Sequence, residues 1–499
     1  MSTGSGFAAL LADDAPRQAT RTALRAGETS VSYAELAVLC ERLAGLLRAS
    51  GVLAGDRVAI ALPNGPAYVA AFLGTLRAGA IAVPLNPRLR PREIAVHLAD
   101  SDARLLLTTP DVASASAFGG VEVITVTPLP PACAAHDGSH AARSPDDTAM
   151  LLYTSGTTAA PKGVELTHRN LDAASAMTAA ALDDVLRDAV LVAAVPLFHG
   201  YGLGCGLLAP LRRRATIVLL ERFDADSALD AVERELATVL VGVPTTLKRM
   251  TAAQAQRPRD LGSLEVCLSG GGALPAQQLH EAERTLGCEV LEGYGASEVL
   301  RVATNRRGRR SAGSVGPPLD GIEARLVDGA GQPVAEGAVG ELEVHAASVM
   351  KGYWGDGAAT AATMRDRWLR LGDLARQDAD GSLFLVGRTK DVIIRGGFTV
   401  HPSEIEEVLL RHPGVAEAAA FGVAHEEMGE QIAAAVVLAG GGEQAASVEE
   451  LQGWLREQLA PFKCPRLLCV VDVLPRGITG KVLREQLRAD VARRRVAQP

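Results

Sequence analysis

Apolar residues recur at helical spacing between Tyr33 and Ser50, at Leu36, Leu39, Leu43, Leu46 and Leu47, which predicts an amphipathic helix. Ser32, followed three residues on by Glu35, has the form of a capping box at its start. Residues 57–62 then read as a strand, 67–78 as a helix, 80–83 as a strand ending at Pro84, 94–100 as a helix and 104–108 as a strand. Helices alternating with short apolar strands predict a parallel sheet covered on both faces. Residues 110–145, rich in Ala, Ser, Pro and Gly, read as a loop. Short apolar runs resume at 149–153, 189–195, 216–220, 239–243, 264–268 and 289–291. From 313 to 349 the pattern changes to short alternating strands punctuated by Gly and Pro, the signature of a small β-rich subdomain. The expected fold class is therefore α/β. A large N-terminal domain, 1–388, has parallel-rich sheets layered with helices and the β-rich subdomain; a small α+β domain, 391–499, follows it.

Composition narrows the class. A chain of 499 residues is too long for one core, and 48% hydrophobic with 22% charged residues is ordinary for a soluble globular protein. The net charge of −8, from 50 basic and 58 acidic residues, argues against a nucleic-acid binder. The basic run from Arg306 to Arg310 reads as a solvated loop. Seven scattered cysteines without a CxxC pair indicate neither a disulfide framework nor a zinc site, and fit a reducing compartment. The N-terminus carries no basic region followed by a long apolar run, so no signal peptide is expected. The most apolar window, 67–85, is broken by Arg77, Gly79 and Pro84, so no membrane span is expected. The expected location is cytoplasmic.

The chemistry is concentrated in short polar loops that follow the apolar strands. Thr154-Ser155-Gly156-Thr157-Thr158-Ala159-Ala160-Pro161-Lys162-Gly163 holds four hydroxyl side chains, two glycines and a lysine within ten residues. Hydroxyls and loop amides donate to phosphate oxygens, one ammonium offsets charge, and glycine lets the backbone approach an anion. It is not a Walker A loop, which needs Gly directly before its Lys and Ser or Thr after it. A bare Ser/Thr/Gly stretch is also an ordinary surface turn; the full string ending Pro-Lys-Gly is more specific. It resembles the phosphate-binding signature of the adenylate-forming superfamily, which includes acyl- and aryl-CoA synthetases, firefly luciferase and peptide-synthetase adenylation domains. Ala159 stands where that signature usually has Gly.

Further motifs follow in the order the resemblance requires. Pro196-Leu197-Phe198-His199-Gly200-Tyr201-Gly202 is similar to the CoA-ligase segment whose His sits at the mouth of the acyl pocket. Ser269-Gly270-Gly271-Gly272 would let a flat ring lie on backbone, though three glycines are also a flexible turn. Gly293-Tyr294-Gly295-Ala296-Ser297-Glu298 resembles the YGxTE motif. There the resemblance implies that Tyr294 stacks on adenine, Ser297 donates to the α-phosphate and Glu298 holds Mg2+. A buried Glu is costly unless paired or metal-bound, which fits a cation. Leu371-Gly372-Asp373 is similar to TGD, implying that Asp373 accepts the ribose hydroxyls; Leu371 replaces the usual Thr. Gly387-Arg388-Thr389-Lys390-Asp391 resembles the hinge motif, with Arg388 near the ribose or phosphates and Lys390 as the pivot. Gly396 and Gly397, before His401-Pro402-Ser403-Glu404, resemble the loop past which pantetheine runs. Pro475-Arg476-Gly477-Ile478-Thr479-Gly480-Lys481 resembles PxTxGK with one extra residue, implying that Lys481 contacts the substrate carboxylate and α-phosphate.

The resemblance spans essentially the whole chain. It implies an AMP-forming carboxylic acid–CoA ligase whose substrates are a small-molecule acid, ATP and CoA, with Mg2+ as cofactor. The catalytic set would be Thr154, Lys162, His199, Glu298 and Lys481. Thr154, Ser155, Gly156, Thr157, Thr158, Lys162, Gly271, Gly272, Gly293, Tyr294, Gly295, Ser297, Asp373 and Arg388 would hold the nucleotide, and Gly396 and Gly397 the pantetheine arm. The acid pocket would take its walls from His199, Tyr201, Cys205, Gly206, Thr245 and Gly270 to Gly272. Domain 391–499 would be a mobile lid turning about 389–391 between half-reactions. The alternatives are a ligase that loads an acyl carrier protein thiol, and a non-catalytic nucleotide- or acyl-binding relative. The chain ends without a peroxisomal SKL tail, which argues against a luciferase. Monomer and homodimer are both open.

Overall fold

The structure is a computed structural model that describes residues 19–114, 118–126, 143–154, 161–395, 398–439, 446–477 and 482–496. The chain divides into two compact units. One is Met1–Glu323 with Val344–Leu369, the other Ala324–Glu343 with Arg370–Pro499.

The first unit holds two sheets. In the seven-stranded sheet the order is Gly352–Tyr353, Lys162–Thr167, Thr148–Thr154, Ile81–Pro84, Arg57–Ala61, Ala103–Thr108 and Glu122–Thr125. The pairs from Thr148–Thr154 to Glu122–Thr125 are parallel. The eight-stranded sheet runs Ala303–Thr304, Glu289–Tyr294, Val266–Ser269, Val239–Gly242, Val190–Ala193, Thr216–Leu219, Thr22–Ala26 and Thr29–Ser32. Its six interior strands are parallel and its two end pairs antiparallel. Strands such as Val239–Gly242 and Val266–Ser269 are buried along their length, as expected where helices cover both faces.

The helix Tyr33–Ala49 forms as its periodicity predicts, and Ser32 and Glu35 close the capping box. Pro66–Arg77 is different: it is buried on every side from Tyr68 to Arg77, so it reads as apolar without a polar face. The two helices cross closely at Gly74, where an added Cβ would lie 2.7 Å from Leu43 Cβ and 2.9 Å from the Cys40 carbonyl. This buried helix and the turn before it reach the segment 195–197. Tyr68 Oη donates to the Leu197 carbonyl at 2.9 Å. Asn64 donates from Nδ2 to the Val195 carbonyl at 2.8 Å and accepts from the Leu197 amide at 2.9 Å.

Two expectations change. The stretch 110–145 is not loop throughout, because Pro110–Ser114 is a short helix and Glu122–Thr125 is an edge strand parallel to Ala103–Thr108; residues 127–142 lie outside the described residues. Its Val-Glu-Val-Ile-Thr alternation was masked by the Ala/Ser/Pro-rich surroundings. The basic run is also ion-paired as well as solvated. Arg307 meets Glu265 at 2.7 Å, Arg306 meets Asp320 at 3.4 Å, and half-buried Arg310 pairs with Glu283.

In the second unit Gly429–Leu438 pairs antiparallel with Val415–His425 and with Ile393–Arg395, and parallel with Leu467–Val470. The helices Pro402–Leu410 and Val448–Gln458 pack on one face of this sheet, burying Ile405, Leu409, Leu451 and Leu455. Leu487 and Val491 of Arg484–Val496 join a second cluster with Phe421 and Val423. The unit also holds the antiparallel pairing of Asp373–Gln377 with Leu383–Arg388.

Candidate active site

In the eight-stranded sheet, four neighbouring parallel strands send their C-terminal loops to the same edge. These are the His199 segment after Val190–Ala193, Pro244 and Thr245 after Val239–Gly242, the triple glycine after Val266–Ser269, and Gly295 to Glu298 after Glu289–Tyr294. Open α/β sheets bind ligands outside the carboxyl ends of their strands. The predicted motifs therefore converge by topology before any side chain is considered.

Close packing at the glycines locks these loops together. A Cβ added to Gly200 would meet Leu152 at 3.1 Å and Leu300 at 3.2 Å, with Ser297 Cα at 4.0 Å. One glycine thus joins the phosphate strand, the His199 loop and the segment carrying Glu298. At Gly270 an added Cβ would lie 2.7 Å from the Tyr201 ring, and Tyr201 Oη donates to the Leu268 carbonyl at 3.0 Å. The glycine is required because a tyrosine, held by its hydroxyl, stands on the backbone there. His199 precedes the short helix Gly200–Leu203, and its Nδ1 accepts from the Tyr201 amide at 3.3 Å. The chain continues into a π-helical turn, Gly204–Leu208, where Cys205 and Gly206 are buried. Thr245 lies half-buried in the first turn of Pro244–Gln256.

The phosphate segment belongs to the other sheet. Thr148–Thr154 and Lys162–Thr167 are antiparallel, with Thr154 directly opposite Lys162. Thr154 and Lys162 are thus the last register partners before the connecting segment. Ser155, Gly156, Thr157 and Thr158 lie outside the described residues. The Lys162 ammonium is 5.5 Å from the centroid of the Tyr353 ring, and Tyr353 Oη donates to Glu298 Oε1 at 2.8 Å. Glu298 is half-buried and has a phenol as partner, one of the two ways, pairing or a cation, in which its burial is offset. Tyr353 was missed because it lies beyond the alternating stretch that ends at Val349. Its position comes from pairing of Gly352–Tyr353 with Lys162–Thr167, and Lys351-Gly352-Tyr353-Trp354 is the only local signal.

Among the described residues, no group of three or more His, Cys, Asp or Glu side chains is placed to hold a metal. That composition still fits Mg2+, which usually takes one or two protein carboxylates and completes its shell with water and substrate phosphates.

The second unit holds the remaining motifs. Arg388 Nε donates to Asp373 Oδ1 at 2.7 Å across paired strands. Gly372 has φ of 67°, which glycine accommodates without strain, and Thr389 Oγ1 donates to its carbonyl at 3.1 Å. Lys390 is exposed in the 3-10 turn Thr389–Asp391. Gly396, Gly397 and Lys481 lie outside the described residues.

One titrating group stands out beside the Gly293 motif. Burial pushes the Glu292 carboxyl up from 4.5 to about 7, against the opposing attraction of Arg310. The unfolded chain loses this proton near its ordinary value, while the folded chain keeps it until about 7. Stability therefore falls as pH rises through that interval and stays lower above it. Glu292→Gln is expected to gain on the wild type by up to about 3 kcal/mol between pH 5 and pH 8. Thermal melts of both proteins across that range check it; a difference that does not change with pH would refute it.

The chain is similar to known proteins over nearly its whole length. The sequence profile of the family described as "AMP-binding enzyme" matches residues 11–354, and that of "AMP-binding enzyme C-terminal domain" matches 404–481. A feruloyl-CoA synthase from Amycolatopsis sp is 39% identical over 94% of this chain and 95% of its own length. A long-chain-fatty-acid–CoA ligase from Bacillus subtilis is 32% identical over 96% and 93%. The crystal structure of ATP-bound MatB from Rhodopseudomonas palustris superposes with a TM-score of 0.90 at 34% identity, covering 98% of this chain and 99% of that one.

Proposed function

The chain belongs to the family of AMP-binding enzymes, and from its site we infer an ATP-dependent, AMP-forming carboxylic acid–CoA ligase. In the first half-reaction a carboxylate oxygen attacks the α-phosphorus of ATP, the bond to the bridging oxygen breaks and pyrophosphate leaves. In the second, the CoA thiol attacks the acyl carbonyl of the mixed anhydride and AMP leaves. There is little covalent chemistry for the protein to perform; its work is positioning and charge neutralisation.

The observation that carries this reading is the chain Lys162, Tyr353, Glu298 beside the Gly200 contact. It sets a cation and an oriented carboxylate next to the loop edge of a parallel sheet. Lys162 and the loop that begins at Thr154 are assigned to the phosphates, and Ser297 to the α-phosphate. Tyr294 with Gly271, Gly272, Gly293 and Gly295 is assigned to the adenine side. Tyr353 holds the Glu298 carboxylate in place. Mg2+, held by Glu298 and the phosphates, would supply charge neutralisation at the transferring group. His199, Tyr201, Cys205, Gly206, Thr245 and Gly270 are assigned to the acid pocket. Asp373 and Arg388 are assigned to the ribose, and Lys390 to the pivot between half-reactions. Free CoA is the proposed acceptor, given Gly396 and Gly397, and the cytoplasm the proposed compartment. No helix among the described residues is long and apolar enough to cross a membrane.

The test is pyrophosphate release and CoA-thioester formation by the purified protein with Mg-ATP, free CoA and a panel of carboxylic acids. Release dependent on the acid, with thioester appearing only when CoA is present, is expected. Absence of pyrophosphate with every acid would overturn the reading.

A further inference from the structure

The segment after Glu298 folds back on itself. Leu300 has φ of 60°, a left-handed conformation unusual for a residue with a side chain. Its amide donates to the Ala296 carbonyl at 2.7 Å, and the Val302 amide to the Tyr294 carbonyl at 2.8 Å. This reversal lays the side chain of Arg301 over Gly293. A Cβ on Gly293 would sit 2.0 Å from a guanidinium nitrogen and 2.5 Å from its carbon. Gly293 thus makes room for a guanidinium.

Arg301 is 2% exposed. Its Nη1 donates to Cys205 Sγ at 2.8 Å and its Nη2 to Thr304 Oγ1 at 2.5 Å. Its guanidinium carbon lies 6.0 Å from the centroid of the Tyr201 ring. Among the described residues the buried Nε has no acceptor, and no carboxylate pairs with this side chain. Arginine does not shed its proton in a protein. A buried cation without a counter-charge is costly, and proteins seldom keep one that nothing answers. Burial also pushes the Cys205 thiol up despite the neighbouring guanidinium, so its sulfur is a neutral, weak acceptor. An oxyanion would displace it readily.

The surroundings identify what would bring that oxyanion. Tyr201 and Cys205 belong to the loop and π-helical turn assigned to the acid pocket, and Gly293 begins the motif that carries Glu298. π-helical turns recur at functional sites, and this one supplies the thiol that meets the guanidinium. We propose that Arg301 receives a second anionic group of the substrate acid, so that the enzyme activates dianionic acids, bearing a distal carboxylate or sulfonate, in preference to monoanions of the same skeleton. The proposal rests on the acid–CoA ligase reading above.

The experiment measures acid-dependent pyrophosphate release with matched pairs of acids, in which a terminal methyl or ring hydrogen is replaced by carboxylate or sulfonate. The wild type is expected to favour the dianion of the best pair by about a hundredfold or more in kcat/KM, because a site built around a polar group rejects analogues that leave it unpaired. Arg301→Met should bring that ratio to within about tenfold of unity, and Arg301→Lys, a point charge without the planar fork, should retain part of it. A purely structural Arg301 would lower both members of a pair together and leave their ratio where it was, which would overturn the proposal. So would a wild type that favours the monoanions; that outcome leaves the ligase reading standing. No release with any acid would instead remove the ligase reading, and the proposal with it. Since the wild-type ratio decides by itself, the test survives a variant that fails to fold.

Discussion

Lys390→Pro is expected to leave acyl-AMP formation within about tenfold of the wild type while transfer to CoA falls by about a thousandfold, if gating by domain motion limits only the second step. Lys390 is exposed in the turn Thr389–Asp391, between Arg388 and Asp373 on one side and the strand Ile393–Arg395 on the other. A 3-10 turn has the φ range that proline's ring fixes, and the exposed ammonium leaves no buried gap when removed. The cost to stability should therefore be confined to the turn itself. What changes is the freedom of the turn: proline locks its own φ and restricts the residue before it, here Thr389. If one orientation of residues 391–499 serves adenylation and another admits the thiol, freezing the turn separates the half-reactions. Timing acyl-AMP appearance, then its consumption after CoA is added, measures each alone. Consumption at the wild-type rate would mean that nothing turns at Lys390, and the two-pose mechanism would fall.

Lys481→Ala should do the reverse. Adenylation is expected to drop about a hundredfold, with thioester formation from supplied acyl-AMP close to the wild type. Losing one preorganised charge contact at a transferring group costs on the order of 3 kcal/mol. Lys481 lies outside the described residues, but the base of its loop is built. Arg476 and Val482 form an antiparallel bridge, the Leu483 amide donates to the Pro475 carbonyl at 2.8 Å, and Arg476 pairs with Glu417 at 2.7 Å. Equal losses in both half-reactions would sink this role.

The two variants fail in opposite halves of the same cycle, so each serves as the other's control for folding.

Much of the fold was legible because the local signals were strong. Tyr33–Ala49 carries both a periodic apolar face and a capping box, and the buried parallel strands are short apolar runs between polar loops. The edge strand Glu122–Thr125 was not legible, since a half-exposed edge strand carries no apolar run and its neighbours are loop-like in composition. Of the proposed site, His199, Gly293, Ser297 and Glu298 could be named from their motifs, and packing at Gly200, which was not named, brings the His199 loop against the segment carrying Ser297. Tyr353 and Arg301 could not. The Tyr353–Glu298 bond spans 55 residues and depends on a two-residue strand. Arg301 acquires meaning only once Leu300 turns it over Gly293. Sequence patterns report what a residue prefers locally, and these two act through what tertiary pairing places beside them.

The clamp on residues 195–197 bears on how the acid is captured. This stretch belongs to no helix or strand, yet the Leu197 amide and the Val195 and Leu197 carbonyls are all bonded to side chains of Asn64 and Tyr68. Leu197 and Tyr68 are fully shielded from solvent. Backbone held by buried partners exchanges its amide hydrogens only when the surrounding core opens, so the approach to His199 should be among the slowest-exchanging irregular segments of the chain. Binding then has little backbone to order on that side of the pocket. The entropy lost on capture falls mainly on the acid itself, and conformationally restricted acids should gain affinity there without any new contact.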